Sequence, residues 1–398
     1  MVVHERSGSA RDRVGPITRR LPVLTGESYL VSELAAFLVT FAVTMAATPM
    51  VRKYALRWRL GDKPNGRKIH TDMIPHLGGI AIVLGAVCGF LVVAFVAPGG
   101  AHDWKLLFQR MFPAVALIVA LGLVDDMKSL RAVQKLTVQI ISALLLGFSG
   151  FLFSTGISAL DGTWVLSLAV TVLFVVGISS AVNLIDGHDG LAAGVSLIAS
   201  AAFAVMAAMV NSSMLAIVML VLGGACAAFL VFNFPPGRIF MGDTGSMFLG
   251  IILAAVACSI TMVQPTARTF VAVCFVLGVP MLDAWLAVTR RLILRSPLFR
   301  ADCLHMHHVL RDLGSSPKQI LLVLYSMEAF LAVLGILVLQ GYVLPVMLGV
   351  ALIAVAFVSF LRIMIASRTA APVGANLAAS SLRPLKSNVA NRDASLGR

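Results

Sequence analysis

Long apolar runs alternate with short polar breaks along most of the chain. Eleven runs of about 17–23 residues cover roughly 29–51, 77–97, 106–124, 134–153, 164–182, 191–210, 213–232, 244–263, 269–287, 319–339 and 343–363. Each is long enough to cross a bilayer as a helix. The pattern predicts an all-α polytopic membrane protein of about 11 transmembrane helices. Pro113 interrupts the third run, and only Asn211-Ser212 separates the sixth from the seventh. Residues 1–28 form a polar tail with Arg6, Arg11, Arg13, Arg19 and Arg20 and no apolar core of the signal-peptide kind. Residues 364–398, rich in Ala, Ser and Arg, are expected to be a disordered basic tail. The membrane domain is therefore expected over 29–363, with no internal repeat and no separate soluble domain.

Composition agrees. The chain is 59% hydrophobic and 12% charged, against about 45–50% apolar for a soluble domain. The five cysteines lie mostly inside apolar runs without a CxxC pair, which reads as packing rather than a disulfide or zinc framework. The net charge of +13 does not form a stripe, so it argues for no nucleic-acid partner. The basic residues sit between spans, where they set topology and meet anionic lipid or substrate.

Alternate loops carry that charge. Loops 52–76, 125–133, 183–190, 233–243 and 288–318 hold 16 Lys/Arg, whereas the opposite set holds two. The positive-inside rule places the first set in the cytoplasm. An odd number of spans then puts the N-terminus outside, against its five arginines. The larger asymmetry, spread over several loops, decides the orientation.

The same five loops hold the polar chemistry. One reads Asn183-Leu-Ile-Asp186-Gly-His188-Asp189-Gly190, with two carboxylates and a histidine between apolar runs. Such groups at a membrane edge face water, a metal or a partner; the plain alternative is a solvated acidic turn. Lys68 and His70 in the first loop are candidate phosphate contacts, unless they only anchor the loop on the inside. Asp125 and Asp126 end an apolar run, and adjacent carboxylates repel unless a cation or proton lies between them. Magnesium, which takes a few carboxylates plus substrate phosphates, suits that position. Lys135 and Gln139 follow on one helical face, or simply snorkel. Asp243, between glycines at a helix start, suits a metal beside a diphosphate; its plain reading is an N-cap. His305, His307 and His308 are three of only eight histidines. They lack a partner set with zinc spacing, which favours the phosphates of an anionic substrate. Asp283 lies near the cytoplasmic end of the ninth run, where its plain reading is pairing with a nearby arginine.

The motifs GDKPNGRKIH, GLVDD, NLIDGHDGLAAG, NFPPGRIFMGDTGSMFLG and HMHH, in that order over about 29–340, resemble the polyprenyl-phosphate N-acetylhexosamine-1-phosphate transferases (glycosyltransferase family 4). The histidine motif is closer to the WecA/TagO-type initiating branch than to the peptidoglycan-precursor branch. The chain departs from the pattern at His76, Cys303-Leu304 and Val309, where members often carry Arg, Arg-Gly and Arg. The resemblance implies transfer of an N-acetylhexosamine-1-phosphate, GlcNAc-1-phosphate first among them, from a UDP-sugar to undecaprenyl or decaprenyl phosphate. UMP leaves, and cell-surface glycan synthesis (cell wall or lipopolysaccharide) begins. It implies Mg²⁺, or Mn²⁺, held by Asp126 and Asp243, with Asp125 orienting the lipid phosphate or taking its proton. Asn183, Asp186, Asp189 and Asn233 would bind nucleoside and sugar, Lys68 and His70 would contact phosphate, and His305, His307 and His308 would hold the diphosphate. It places the enzyme in the bacterial cytoplasmic membrane with its active site on the cytoplasmic face, and it leaves room for a homodimer. The competing class is a secondary transporter, whose sites lie near the midplane in repeated halves.

Overall fold

The computed structural model describes residues 26–58, 74–96, 101–157, 161–293, 295 and 305–342, with scattered positions between 347 and 362. Lys68 and His70 lie outside the described residues. The helices are α1 (Gly26–Arg57), α2 (Gly78–Val96), α3 (Ala101–Lys128), α4 (Ala132–Phe148), α5 (Trp164–Ile185), α6 (Leu191–Met209), α7 (Ser213–Asn233), α8 (Gly242–Val263), α9 (Ala267–Val276), α10 (Gly278–Ile293), α11 (Met306–Asp312) and α12 (Pro317–Gln340). One compact unit runs through Val343, and a second begins at Leu344, where the described positions are helical.

The architecture is the expected all-α polytopic membrane protein. Helices α1, α2, α3, α5, α6, α7, α8 and α12 are each long and apolar enough to cross a membrane. Two expected spans differ. The fourth, α4, has 17 residues and stops at Phe148. Gly150, at φ +96°, takes the left-handed turn that ends a helix. The apolar residues beyond it pack without helix: Phe153 is buried and stacks on Phe174 at 4.0 Å between centroids. The ninth span is broken into α9 and α10, bent by 84°. Pro280 has no N–H to continue the ladder across the break, yet it sits comfortably in the first turn of a new helix. The freed amide of Val279 donates to Oε2 of the buried Glu328 of α12, at 2.9 Å. The eleventh expected span, 343–363, lies mostly outside the described residues. The described residues therefore carry ten of the eleven expected segments: eight span-length helices, one bent pair and one shorter helix.

Helix α8 is the axis of the bundle. It packs against α2, α3, α5, α6, α7 and α9. Association of apolar helices rests on close packing, so small residues mark their contacts. A Cβ on Gly250 would stand 2.6 Å from Cα of Ser179 in α5. Asp243, in the first turn of α8, is thereby delivered to the point where the surrounding helices end.

Candidate functional site

The site begins at the N-terminus of α8. Gly242, at φ +76°, turns the chain into the helix, and a Cβ there would lie 2.2 Å from the carbonyl oxygen of His76. The preceding strip is tied to the start of α2: the amides of Gly78 and Gly79 donate to the carbonyls of Phe240 and Met241 at 3.0 and 2.7 Å. From the other side α3 comes into backbone contact, since a Cβ on Gly122 would stand 2.4 Å from Cα of Thr244.

Asp126 lies one helical turn beyond Gly122, on the same face. It therefore reaches the free amides of α8. Its Oδ1 accepts the amide of Asp243 at 2.7 Å, and its Oδ2 accepts the amide and hydroxyl of Thr244 at 3.1 and 2.6 Å. A carboxylate there satisfies orphan donors and opposes the positive end of the helix dipole. Asp243 is thus not the cap of its own helix. The N-cap position is Met241, which makes no side-chain cap bond, and the capping carboxylate comes from α3.

Asp243 is left to face α4 and α5. Its Oδ1 accepts from Nδ2 of Asn183 at 3.0 Å, and its Oδ2 accepts from Nζ of Lys135 at 2.5 Å. The same ammonium lies 2.5 Å from Oδ2 of Asp125, whose Oδ1 accepts the amide of Leu130. Lys135 therefore does not snorkel; it bridges two carboxylates. Its helical neighbour Gln139 turns inward to Ser179 and Ser180. Asp186, just past α5, is pushed well above the usual carboxylate range, first by burial and then by the charges of Asp243, Asp126 and Asp189. Asp125 and Asp243 thus share the Lys135 ammonium, with Asp126 and Asp186 beside Asp243, a gathering of acidic groups that favours a further cation.

The donor set fits magnesium, which needs only one or two carboxylates once substrate phosphates join it. Asp125 and Asp243 already converge on one cationic centre. Asp126 Oδ1 accepts a single hydrogen bond and retains a lone pair. No group of three or more His, Cys, Asp or Glu side chains among the described residues would cage a metal ion by itself, so a metal here would take its remaining ligands from substrate phosphates and water.

The next loops lock together. Asp189 Oδ2 accepts the amide of Gly237 at 2.9 Å. Asn233 is 3% exposed; its Oδ1 accepts the amide of Gly190, and its Nδ2 donates to the carbonyl of Ile239. These two residues hold loop 186–190 against loop 234–241, and both ends of the Asn233 amide are tied into the fold.

The histidines close the site. His307 packs over Gly187, whose Cβ would meet its Nε2 at 3.2 Å, and it lies edge-on to His188 at 6.0 Å between centroids. His305 stacks parallel to His307 at 6.0 Å, and His308 approaches His307 at 4.1 Å. Burial, followed by the charge of His308, pushes His307 down to about 3, so its ring is neutral at pH 7. Nε2 of His307 and Nδ1 of His308 are buried without a hydrogen-bond partner among the described residues, and buried polar atoms ordinarily have one. The plain reading of Asp283, an arginine partner, is not met among the described residues; its partners there are His305 and the amide of Met306, both at 2.7 Å.

Sequence reasoning missed Tyr325 and Glu328. The hydroxyl of Tyr325 donates to the carbonyl of Gly190 at 2.6 Å. One tyrosine and one glutamate inside a long apolar run carry no local signal beyond their polarity, although a buried acid in a span is itself a reason to look for its partner.

Comparison with known proteins adds a lineage to this geometry. The profile of glycosyl transferase family 4 matches residues 108–261. A probable undecaprenyl-phosphate N-acetylglucosaminyl 1-phosphate transferase of Bacillus subtilis is 32% identical, across 82% of this chain and 90% of its own. A decaprenyl-phosphate N-acetylglucosaminephosphotransferase of Mycobacterium tuberculosis is 33% identical across 81% and 87%. A phospho-N-acetylmuramoyl-pentapeptide-transferase of Desulforudis audaxviator is 34% identical across 78% and 98%.

Proposed function

The chain belongs to glycosyl transferase family 4, and from that premise we propose that it transfers N-acetylglucosamine-1-phosphate from UDP-N-acetylglucosamine to undecaprenyl or decaprenyl phosphate. The products are a polyprenyl-diphosphate sugar and UMP, and the step opens synthesis of a cell-surface glycan. The observation that carries this reading is the convergence of Asp125, Asp126, Asp186 and Asp243 with His307 and His308, whose buried nitrogens await a partner. Acids gathered at helix ends suit a membrane-edge phosphoryl transfer better than the midplane site of a transporter.

In the reaction an oxygen of the lipid phosphate attacks the β-phosphorus of the UDP-sugar as the bond to the α-phosphate oxygen breaks. Such transfers rest on positioning and charge neutralisation. Magnesium, or manganese, held by Asp126 and Asp243 would neutralise charge on the diphosphate and the leaving UMP. Asp125 and Lys135 would receive the acceptor, Lys135 to attract the lipid phosphate and Asp125 to orient it; their shared ion pair supports that reading. Asn183, tied to Asp243 and Ser246, couples the metal ligand to the donor-binding loop. Asp186 contacts nucleoside and sugar, with Asp189 and Asn233 fixing the shape of that loop. His307 and His308 hold the diphosphate, and Lys68 and His70 add phosphate contacts from the first loop.

Purified protein given Mg²⁺, a polyprenyl phosphate and a panel of UDP-sugars should release UMP, fastest with UDP-N-acetylglucosamine. No release with any of them removes the transferase reading. In the same assay His307→Ala and His308→Ala should lower kcat/KM by about ten- to a hundredfold each, the worth of one hydrogen bond to a charged group. Wild-type turnover in both would take this loop out of the active site.

The reading includes the cytoplasmic membrane with this site on the inner face, and the 16-to-2 distribution of basic residues supports it. With native cysteines replaced, Lys318→Cys should resist a membrane-impermeant maleimide in intact cells, and Ile157→Cys should react. The opposite pattern reverses the orientation.

A further inference from the structure

Asp283 has no place in the chemistry above, yet it is 2% exposed, in the first half of α10. A buried carboxylate is costly unless its lone pairs are met. Both oxygens are met, and both partners belong to the histidine motif. Oδ1 accepts the backbone amide of Met306, the first residue of α11, at 2.7 Å. Oδ2 lies 2.7 Å from Nδ1 of His305. An ionised carboxylate can only accept, so Nδ1 of His305 carries the proton.

We propose that Asp283 is a positioning residue of the active site: it holds the Nδ1–H of His305 and, as an anion, supports the ring when Nε2 is also protonated, so that Nε2–H meets substrate phosphate as a donor. The ring so fixed is the first of a stack. His305 lies parallel to His307 within 5°, and His307 lies against His188 of the donor-binding loop. An imidazole free to flip at His305 would disturb each ring after it. Among the described residues, the rings of His307 and His308 lie beside the pair, 6.0 and 6.4 Å from that of His305 between centroids. Hydrogen bonds of this kind commonly orient histidines at functional sites, and losing one typically costs about ten- to a hundredfold.

The proposal rests on the reading of the histidine loop as substrate-binding, and the test separates the two. In Asp283→Asn the side-chain oxygen can still accept from Met306 while the amide nitrogen donates to Nδ1 of His305, which holds the ring in its neutral form and removes the positive charge it offers to phosphate. The expected result is a fall in kcat/KM of about ten- to a hundredfold with the melting temperature unchanged. On a His305→Ala background, Asp283→Asn should cause no further loss, because the carboxylate acts through that ring. Nitrogen-15 spectra of histidine-labelled wild-type protein should assign the His305 proton to Nδ1, which needs neither the variant nor any turnover. Normal turnover in Asp283→Asn beside an impaired His305→Ala overturns the proposal and spares the reading of the loop. Equal losses on both backgrounds, or a wild-type His305 with its proton on Nε2 alone, also overturn it. Wild-type turnover in His305→Ala overturns both.

Discussion

Asp243→Asn is expected to lower turnover by about a thousandfold while the protein stays folded. Losing one metal ligand removes several kcal/mol of charge stabilisation from the transition state, and about 4 kcal/mol is a thousandfold. The fold should survive because Asp243 does not cap its own helix: α8 is capped by Asp126. Asp126→Asn should differ in kind. An amide can keep only one of the two acceptor positions, so the bonds to Thr244 weaken and stability falls with turnover, by about 1–3 kcal/mol. Paired thermal melts and UMP-release assays on the two variants separate these outcomes. Full turnover of the wild type in a chelator, or wild-type rates in Asp243→Asn, would dismiss a metal at this position.

Lys135→Met should be the second most damaging change. It withdraws the one ammonium between Asp125 and Asp243 and leaves two carboxylates facing each other. Breaking a buried ion pair from one side commonly costs about 3–5 kcal/mol, and Lys135, about a quarter exposed, should fall at or below the low end. Turnover should drop about a hundredfold or more. Lys135→Arg should rescue poorly, since a planar fork does not replace a compact ammonium between two carboxylate oxygens. A divalent cation should raise the melting temperature of Lys135→Met more than that of the wild type, because the variant has more uncompensated negative charge to neutralise. Equal shifts in the two proteins would show that Lys135 does not balance the carboxylates.

Hydropathy alone located the helices, because a bilayer requires runs of a definite length. The exceptions have local causes. Gly150 ends α4 early, and Pro280 divides the ninth span where a purely apolar count runs straight through. The acids of the site were also legible, since Asp125, Asp126, Asp186 and Asp243 stand at the ends of apolar runs where an idle charge is expensive. Their partners were not. That Asp126 caps a helix more than a hundred residues away follows from the backbone contact at Gly122, and no spacing in the sequence encodes it. Lys135 could be put on one helical face with Gln139 but not told from an interfacial lysine, because its two carboxylates are distant in sequence or on another helix. Asp283 read as the mate of an arginine, a choice made from neighbours along the chain, whereas the fold offered it a histidine 22 residues on.

Helix α12 has a consequence for the order in which the enzyme becomes whole. Every acid of the site precedes Pro317, and chains are made and inserted from the N-terminus. The two clasps of α12 come afterwards: Tyr325 on the carbonyl of Gly190, and Glu328 on the amide of Val279. Tyr325 and Glu328 stand three residues apart on one face of the helix. A nascent chain still on the ribosome at Asp312 therefore holds its carboxylates and histidines before either loop 186–190 or the broken span has been fastened. Arrival of α12 fastens both at once, and completion of the site becomes a late event of biogenesis.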